Sequence, residues 1–330
     1  MRRMKLNLDE FQCAHLPIFV VVAILVAGFF TTCSKVPQPG PGQKTFSSPE
    51  EASNALVTAA QNNDVKAMLD ILGPDAKQIV SSGDDAEDAQ GRANFVRRYQ
   101  QMHRLVKEPD GTTVLYIGAE NWPTPIPLVN KGNTWQFDAA AGKKEILYRR
   151  VGRNELSTIR VCQELVAAQK EYYAAQHSQY CRKIRSDEGQ RNGLYWKSAN
   201  GEVESLIGPL LAMAVPDEGE GKNPNGAATP FRGYYFRVLT REGKNSPDGP
   251  KNYIVDGKMT QGFAFVAYPA EYGSSGVMTF VVNKDGVVYQ KDLGKKTEAR
   301  GRRMKEYNPD STWQDADELP EPITGEQKGE

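Results

Sequence analysis

Along this chain, apolar residues recurring three and four apart give way to short apolar runs cut by Gly, Pro and Asn, and that change of period predicts where helices yield to strands. Ser48, Pro49 and Glu51 mark a helix start: Ser48 is the N-cap, Pro49 sits at N1 and Glu51 at N3 closes a capping box. Ala52, Ala55, Leu56, Ala59 and Ala60 give that helix one apolar face, and Asn62, Asn63 and Asp64 end it. Val65 to Leu72 predicts a second short helix stopped by Gly73 and Pro74. Beyond a polar stretch from Ser81 to Asp88, Phe95, Tyr99 and Met102 predict a third helix from about Ala89 to Leu105. Val114 to Ile117, Ile126 to Val129 and Thr134 to Phe137 then read as short strands, with Trp135 and Phe137 sharing one face that points inward.

The longest helical pattern runs from about Glu145 to Gln176, with Leu156, Ile159, Leu165, Val166 and Ala168 as its apolar positions and Gly152 as a point of division. Strands follow at Tyr234 to Leu239, Gly262 to Tyr268, Val277 to Val282 and Gly286 to Gln290, and Asn283 to Gly286 is a hairpin turn between the last two. Past Gly294 the chain is charged and is expected to fray. Helices followed by a strand meander, twice over and in different order, predict an α+β protein of two unrelated domains. The expected divisions are a signal peptide over 1–32, a flexible tether over 33–44, α+β domains over 45–150 and 151–294, and a charged tail over 295–330.

The first residues change this picture, because Arg2, Arg3 and Lys5 precede an apolar run from Ile18 to Phe30, the layout of a secretory signal. A helix over that run reaches only about 20 Å, short of the roughly 30 Å hydrocarbon core. Phe30, Thr31, Thr32 and Cys33 resemble the lipobox of bacterial lipoproteins, in which the cysteine is acylated; Phe30 and Thr32 depart from its usual residues. Acylation of Cys33, plain cleavage and an uncleaved anchor are the three readings, in that order. The tether, rich in Pro, Gly, Lys and Gln, would then hold the body off the membrane of the cell envelope.

Charge and chemistry exclude more than they assign. The chain carries 41 basic and 41 acidic residues. That balance is unlike the basic stripe of a nucleic-acid binder, so no nucleic-acid partner is expected. Cys162 and Cys181 are the cysteines left in the folded part, and an oxidising compartment would allow a disulfide between them if the long helix stopped early or bent. His177 stands four residues before Cys181, and Cys162 or Ser157 with His177 is the sole nucleophile arrangement; no Gly-x-Ser-x-Gly elbow occurs. Neither this nor the adjacent Asp84 and Asp85 reads as catalytic, so no enzyme is expected. In the loop from Asp217 to Gly226, Asp217, Glu218 and Glu220 are weak candidate calcium ligands, hard oxygen donors among Gly and Asn. Trp122, Pro125 and Ile126 form an aromatic and proline edge that reads either as the rim of a pocket or partner surface, or as a strand edge guarded against aggregation.

Phe46 to Ala60 (FSSPEEASNALVTAA), Asn121 to Val129 (NWPTPIPLV), Trp135 to Asp138 (WQFD), Gly152 to Leu156 (GRNEL), Gly193 to Trp196 (GLYW) and Phe263 to Gly273 (FAFVAYPAEYG) together resemble the bacterial domain-of-unknown-function family numbered two-nine-five-zero. The resemblance implies no function. At fold level the first half resembles an NTF2-like cone, which implies helices inside a curved sheet and an apolar pocket. The second half is similar to the globular part of type II secretion pseudopilins, which use a C-terminal loop for calcium. The charged segment before Gly152 departs from the apolar assembly helix of a true pilin. The expected function is a non-catalytic cell-envelope lipoprotein that binds or assembles envelope proteins. The alternatives are an accessory of a secretion or pilus-like system and an enzyme using an NTF2-like pocket.

Overall fold

A computed structural model describes residues 42–81, 85–175, 178–198, 205–216 and 228–316, and the chain divides into two units between Arg149 and Arg150. The fold is α+β, with antiparallel sheets in both units.

The N-terminal unit opens with α1 (Pro49–Gln61), where Ser48 Oγ accepts from Glu51 N at 3.1 Å. The Glu51 carboxylate reaches one residue further back than in a standard capping box, accepting from both the amide and the hydroxyl of Ser47. Asp64 caps α2 (Val65–Leu72) by accepting from Ala67 N, and Gly73 ends it with φ +90°. A 3₁₀ turn (Pro74–Ala76) leads to α3 (Lys77–Val80) and then α4 (Asp85–Gln101).

The expected third helix is corrected at its end, because the chain leaves α4 before Met102 and His103–Lys107 form β1. Five residue pairs, from His103↔Ile117 to Lys107↔Thr113, lock β1 antiparallel to β2 (Thr113–Ile117), and that ladder outweighs one more helical turn. The sheet continues through β3 (Trp122–Pro123), β4 (Leu128–Lys131) and β5 (Thr134–Phe137), in the order β1-β2-β4-β5 with β3 on β2. Phe46 bridges Trp135, so the segment before α1 adds to the sheet edge. Ala52, Leu56, Ile71, Leu128 and Phe137 share this unit's main apolar cluster.

Asp138 starts α5 (Ala139–Ala175), accepting from Ala141 N at 2.9 Å. The helix begins earlier than its apolar pattern predicts and passes through Gly152 unbroken.

In the C-terminal unit, Ile159, Cys162, Leu165 and Val166 of α5 share one apolar cluster with residues of the sheet. After α6 (Pro209–Met213) come β6 (Tyr234–Leu239), the hairpin β7 (Arg241–Glu242) and β8 (Lys251–Asn252), and the hairpin β9 (Ile254–Val255) and β10 (Lys258–Met259). The main sheet adds β11 (Ala264–Pro269), β12 (Met278–Asn283) and β13 (Val288–Asp292), with the predicted turn in place, Gly286 at φ +90° and its amide on Asn283 O.

The tail is the largest correction. Thr297–Arg303 form α7 and Gln314–Asp315 form β14, which completes the antiparallel order β14-β13-β12-β11-β6. Every residue of β11 is buried, and α7 covers the sheet face carrying Tyr268. An apolar strand of this kind needs cover on both faces, and the segment after Gly294 supplies one of them.

Candidate functional site

Two segments singled out in the sequence meet inside the C-terminal unit. Asn154 and Glu155, within GRNEL, face the loop that follows FAFVAYPAEYG. Asn154 Nδ2 donates to Ser275 O at 2.8 Å, and one Glu155 oxygen accepts from Val277 N at 2.8 Å and Met278 N at 3.0 Å. Burial raises the Glu155 pKa, and the two amide bonds offset only part of that rise. Gly233 is needed here, since a Cβ would lie 2.8 Å from Ser275 Cβ and 2.9 Å from Asn154 Nδ2, at φ +77°. These groups fix the loop that leads into β12.

At the other edge of the sheet, Arg237 of β6 is nearly buried and aims its guanidinium at the end of α7. Its Nη1 donates to Gly301 O at 3.1 Å, to Met304 O at 3.2 Å and to Arg302 O. A cation at a helix C-terminus satisfies carbonyls that have no intrahelical partner. Gly301 lies flat on Tyr268, where a Cβ would fall 2.4 Å from the ring. Burial pushes the Tyr268 hydroxyl up to about 12.

This attachment leaves the opposite side of α7 exposed, with Lys295, Lys296, Arg300, Arg302, Arg303 and Lys305 all open to solvent. Glu298 is the one acid in the same stretch. Among the described residues, none of these six cations is in an ion pair; Arg300 Nη1 donates to Leu293 O at 2.7 Å. Lys296, Arg300 and Arg303, with Ala299 and Met304, line an open cleft of about 460 Å³. The arrangement can hold an anion against an apolar floor. Sequence reasoning missed it by treating the segment as a frayed tail, although six basic residues against one acid between Lys295 and Lys305 were the available signal.

A third polar cluster lies under the β7–β8 hairpin. Glu242, 3% exposed, accepts from Tyr253 Oη at 2.6 Å and Asn283 Nδ2 at 3.3 Å through one oxygen, while its other oxygen is buried without a partner among the described residues. Ser246 Oγ is also buried and unpartnered. The stretch from Arg241 to Pro250 is tied down by Gly243 N on Tyr307 O and Asn245 N on Asn308 Oδ1, each 2.8 Å.

The other expected sites are placed as follows. Cys33, His177, Asp217, Glu218 and Glu220 lie outside the described residues. The disulfide reading is corrected: Cys162 and Cys181 are free, buried thiols. Gln169 exchanges two hydrogen bonds with the Cys181 backbone, at 2.7 and 2.8 Å, which holds Cys181 about two helical turns beyond Cys162. With α5 unbroken to Ala175, the returning chain comes back to the level of Gln169 and not to that of Cys162. Burial pushes Cys162 up to about 12 and Cys181 up to about 11, so neither is a ready nucleophile.

Trp122 is 37% exposed and lies under the Arg149 guanidinium at 5.1 Å, and Arg149 also donates to Pro123 O and Glu145. Ile126 is buried against Gly142, and Pro125, between Trp122 and Ile126 in sequence, has intermediate exposure. Trp122 thus keeps an exposed face beside one cation from its own unit, while Ile126 is core. A cleft of about 250 Å³ in this unit lies away from Trp122, between α1 and α4, lined by Ala60, Asn63, Ala93, Val96 and Arg97 among others.

Residues 43–316 match the family described as protein of unknown function (DUF2950), and the chain belongs to that family. No curated protein and no solved structure matches it.

Proposed function

We propose that this member of the DUF2950 family is a non-catalytic cell-envelope lipoprotein that serves as a binding or assembly module. In this reading Cys33 is acylated, an NTF2-like unit follows the tether, and a pseudopilin-like unit presents the recognition surface.

The observation that supports it most is how four polar side chains of the C-terminal unit, Asn154, Glu155, Gln169 and Arg237, are used. Glu155 and Asn154 hold one loop, and Arg237 holds the end of α7. Gln169 holds the Cys181 backbone. Groups spent on backbone bonds are not free to transfer protons or attack a substrate, whereas the α7 cations are exposed, Arg300 giving one bond to Leu293 O, and can meet a partner. Multiple acyl chains on Cys33 would hold such a surface firmly at the membrane, where a single chain would not.

Metabolic labelling with a palmitate analogue tests the address. The wild-type chain should carry label and Cys33→Ala should carry none; equal labelling of the two overturns the lipoprotein reading. A second reading, an accessory of a secretion or pilus-like system, is favoured by the packing of α5 on a five-stranded antiparallel sheet. Co-purification with secretion components would distinguish it.

A further inference from the structure

We propose that the exposed face of α7 docks on anionic phospholipid headgroups, so that the C-terminal unit meets the membrane through Lys296, Arg300 and Arg303. The inference rests on the envelope reading above and names the partner of its surface.

Charge distribution carries the first part. The whole chain is neutral, yet Lys295 to Lys305 contains six basic residues and one acid, which leaves 35 basic against 40 acidic residues elsewhere. An anionic surface would attract this stretch and find no net attraction in the remainder, so the electrostatics set an orientation as well as an affinity.

Shape carries the second part. The α7 cleft sets three cations around Ala299 and Met304. A phospholipid offers that same pair of features, a phosphate beside the start of a hydrocarbon chain, and a fully hydrated inorganic anion offers only one. Arg and Lys stems also lie well along apolar material while their heads bind phosphate. A nucleic acid fits less well, because no aromatic side chain for base stacking stands between Lys295 and Lys305.

Rigidity carries the third. The cations do not sit on a loose tail, since Gly301 is seated on Tyr268 and Arg237 holds three consecutive or near-consecutive carbonyls at the helix end. A preformed cationic face loses less conformational freedom on docking than a disordered one.

The test uses the full chain and measures partition onto vesicles of phosphatidylcholine alone and of phosphatidylcholine mixed with phosphatidylglycerol, at low and high salt. Half-binding should need at least about tenfold less lipid on the anionic vesicles at low salt, and high salt should erase the difference. The variant K296E/R300E/R303E should lose the preference while keeping its thermal midpoint, and Lys258→Glu, an exposed cation elsewhere in the unit, should keep it. Lys296→Gln with Arg300→Gln and Arg303→Gln gives a second, milder variant should the reversal disturb folding.

A preference that survives both triple variants, or none in the wild type, overturns the proposal. So does saturable binding of inositol hexakisphosphate at this face without any vesicle preference, which would make the ligand a soluble anion. Equal, salt-insensitive binding to both vesicles would sink this proposal and leave the anchored reading standing. Anionic preference without binding to phosphatidylcholine would support the face and count against the anchor.

Discussion

Glu155 shows how much one half-buried side chain can organise. Its carboxylate oxygen is the acceptor for two successive amides at the start of β12. Glu155→Ala should strand both amides and cost about 1–3 kcal/mol, whereas Glu155→Gln keeps an acceptor oxygen and should cost less than about 1 kcal/mol. The pH dependence has a definite sign. Burial raises the folded-state pKa above the ordinary 4.5, so the folded chain binds this proton more tightly than the unfolded chain. Wild-type stability relative to Glu155→Gln should therefore be greatest at or below that value, fall as pH climbs from it to the raised value, and stay flat above. Urea unfolding of both variants across a pH series measures this; a gap that widens in favour of wild type as pH rises would refute the assignment.

At the scale of elements, α7 depends on a glycine for contact rather than for a turn. Gly301→Ala would gain about 1 kcal/mol in helix propensity. The new Cβ, however, would lie 2.4 Å from the ring of Tyr268, which is buried and cannot move aside cheaply. Overlap of that kind costs about 1–3 kcal/mol or more, so the substitution should destabilise. Gly91→Ala in α4 is the control: nothing lies within 4 Å of its Cβ position, and propensity alone should make it neutral to stabilising. Thermal midpoints moving in opposite directions are the expected outcome, and a stabilised Gly301→Ala would show that α7 does not sit on Tyr268. What the sequence disclosed follows the same division. α1, α2 and the β12–β13 hairpin were legible because their caps, breakers and turn residues are local. β1 was not, since His103–Lys107 becomes a strand only through its register with β2, a non-local fact. α7 lies between: its own pattern is weak, but the unbroken run Phe263 to Pro269 already implied a strand covered on both faces, and some later segment had to provide the second cover. The basic face was hidden with it, because a net charge of zero averages one stretch with five more bases than acids against a remainder with five more acids than bases.

For the whole molecule, the decisive matter is where the C-terminal unit ends. Thr297, Tyr307 and Ala316 are each at most 2% exposed, and Tyr307 exchanges backbone bonds with Arg241 and Gly243. β14 pairs with β13 at the sheet edge, and Arg237 has three carbonyl partners in and just after α7. Ending the chain at Gly294 would therefore uncover one face of β11, open a sheet edge and leave a nearly buried guanidinium without those acceptors. Each of these alone belongs to the mechanisms that cost several kcal/mol, and together they exceed about 4 kcal/mol, a large share of the ~5–15 kcal/mol that holds a domain folded. Ending the chain at Ala316 instead keeps every one of these contacts and should cost far less stability than ending it at Gly294. Differential scanning calorimetry of the full chain and the two truncations separates the cases. The chain ending at Gly294 should lose or strongly lower the transition of the C-terminal unit while the chain ending at Ala316 keeps it; if the two behave alike, α7 and β14 are attached too weakly to count as part of the fold, and the rigidity on which a membrane-docking face depends is lost with them.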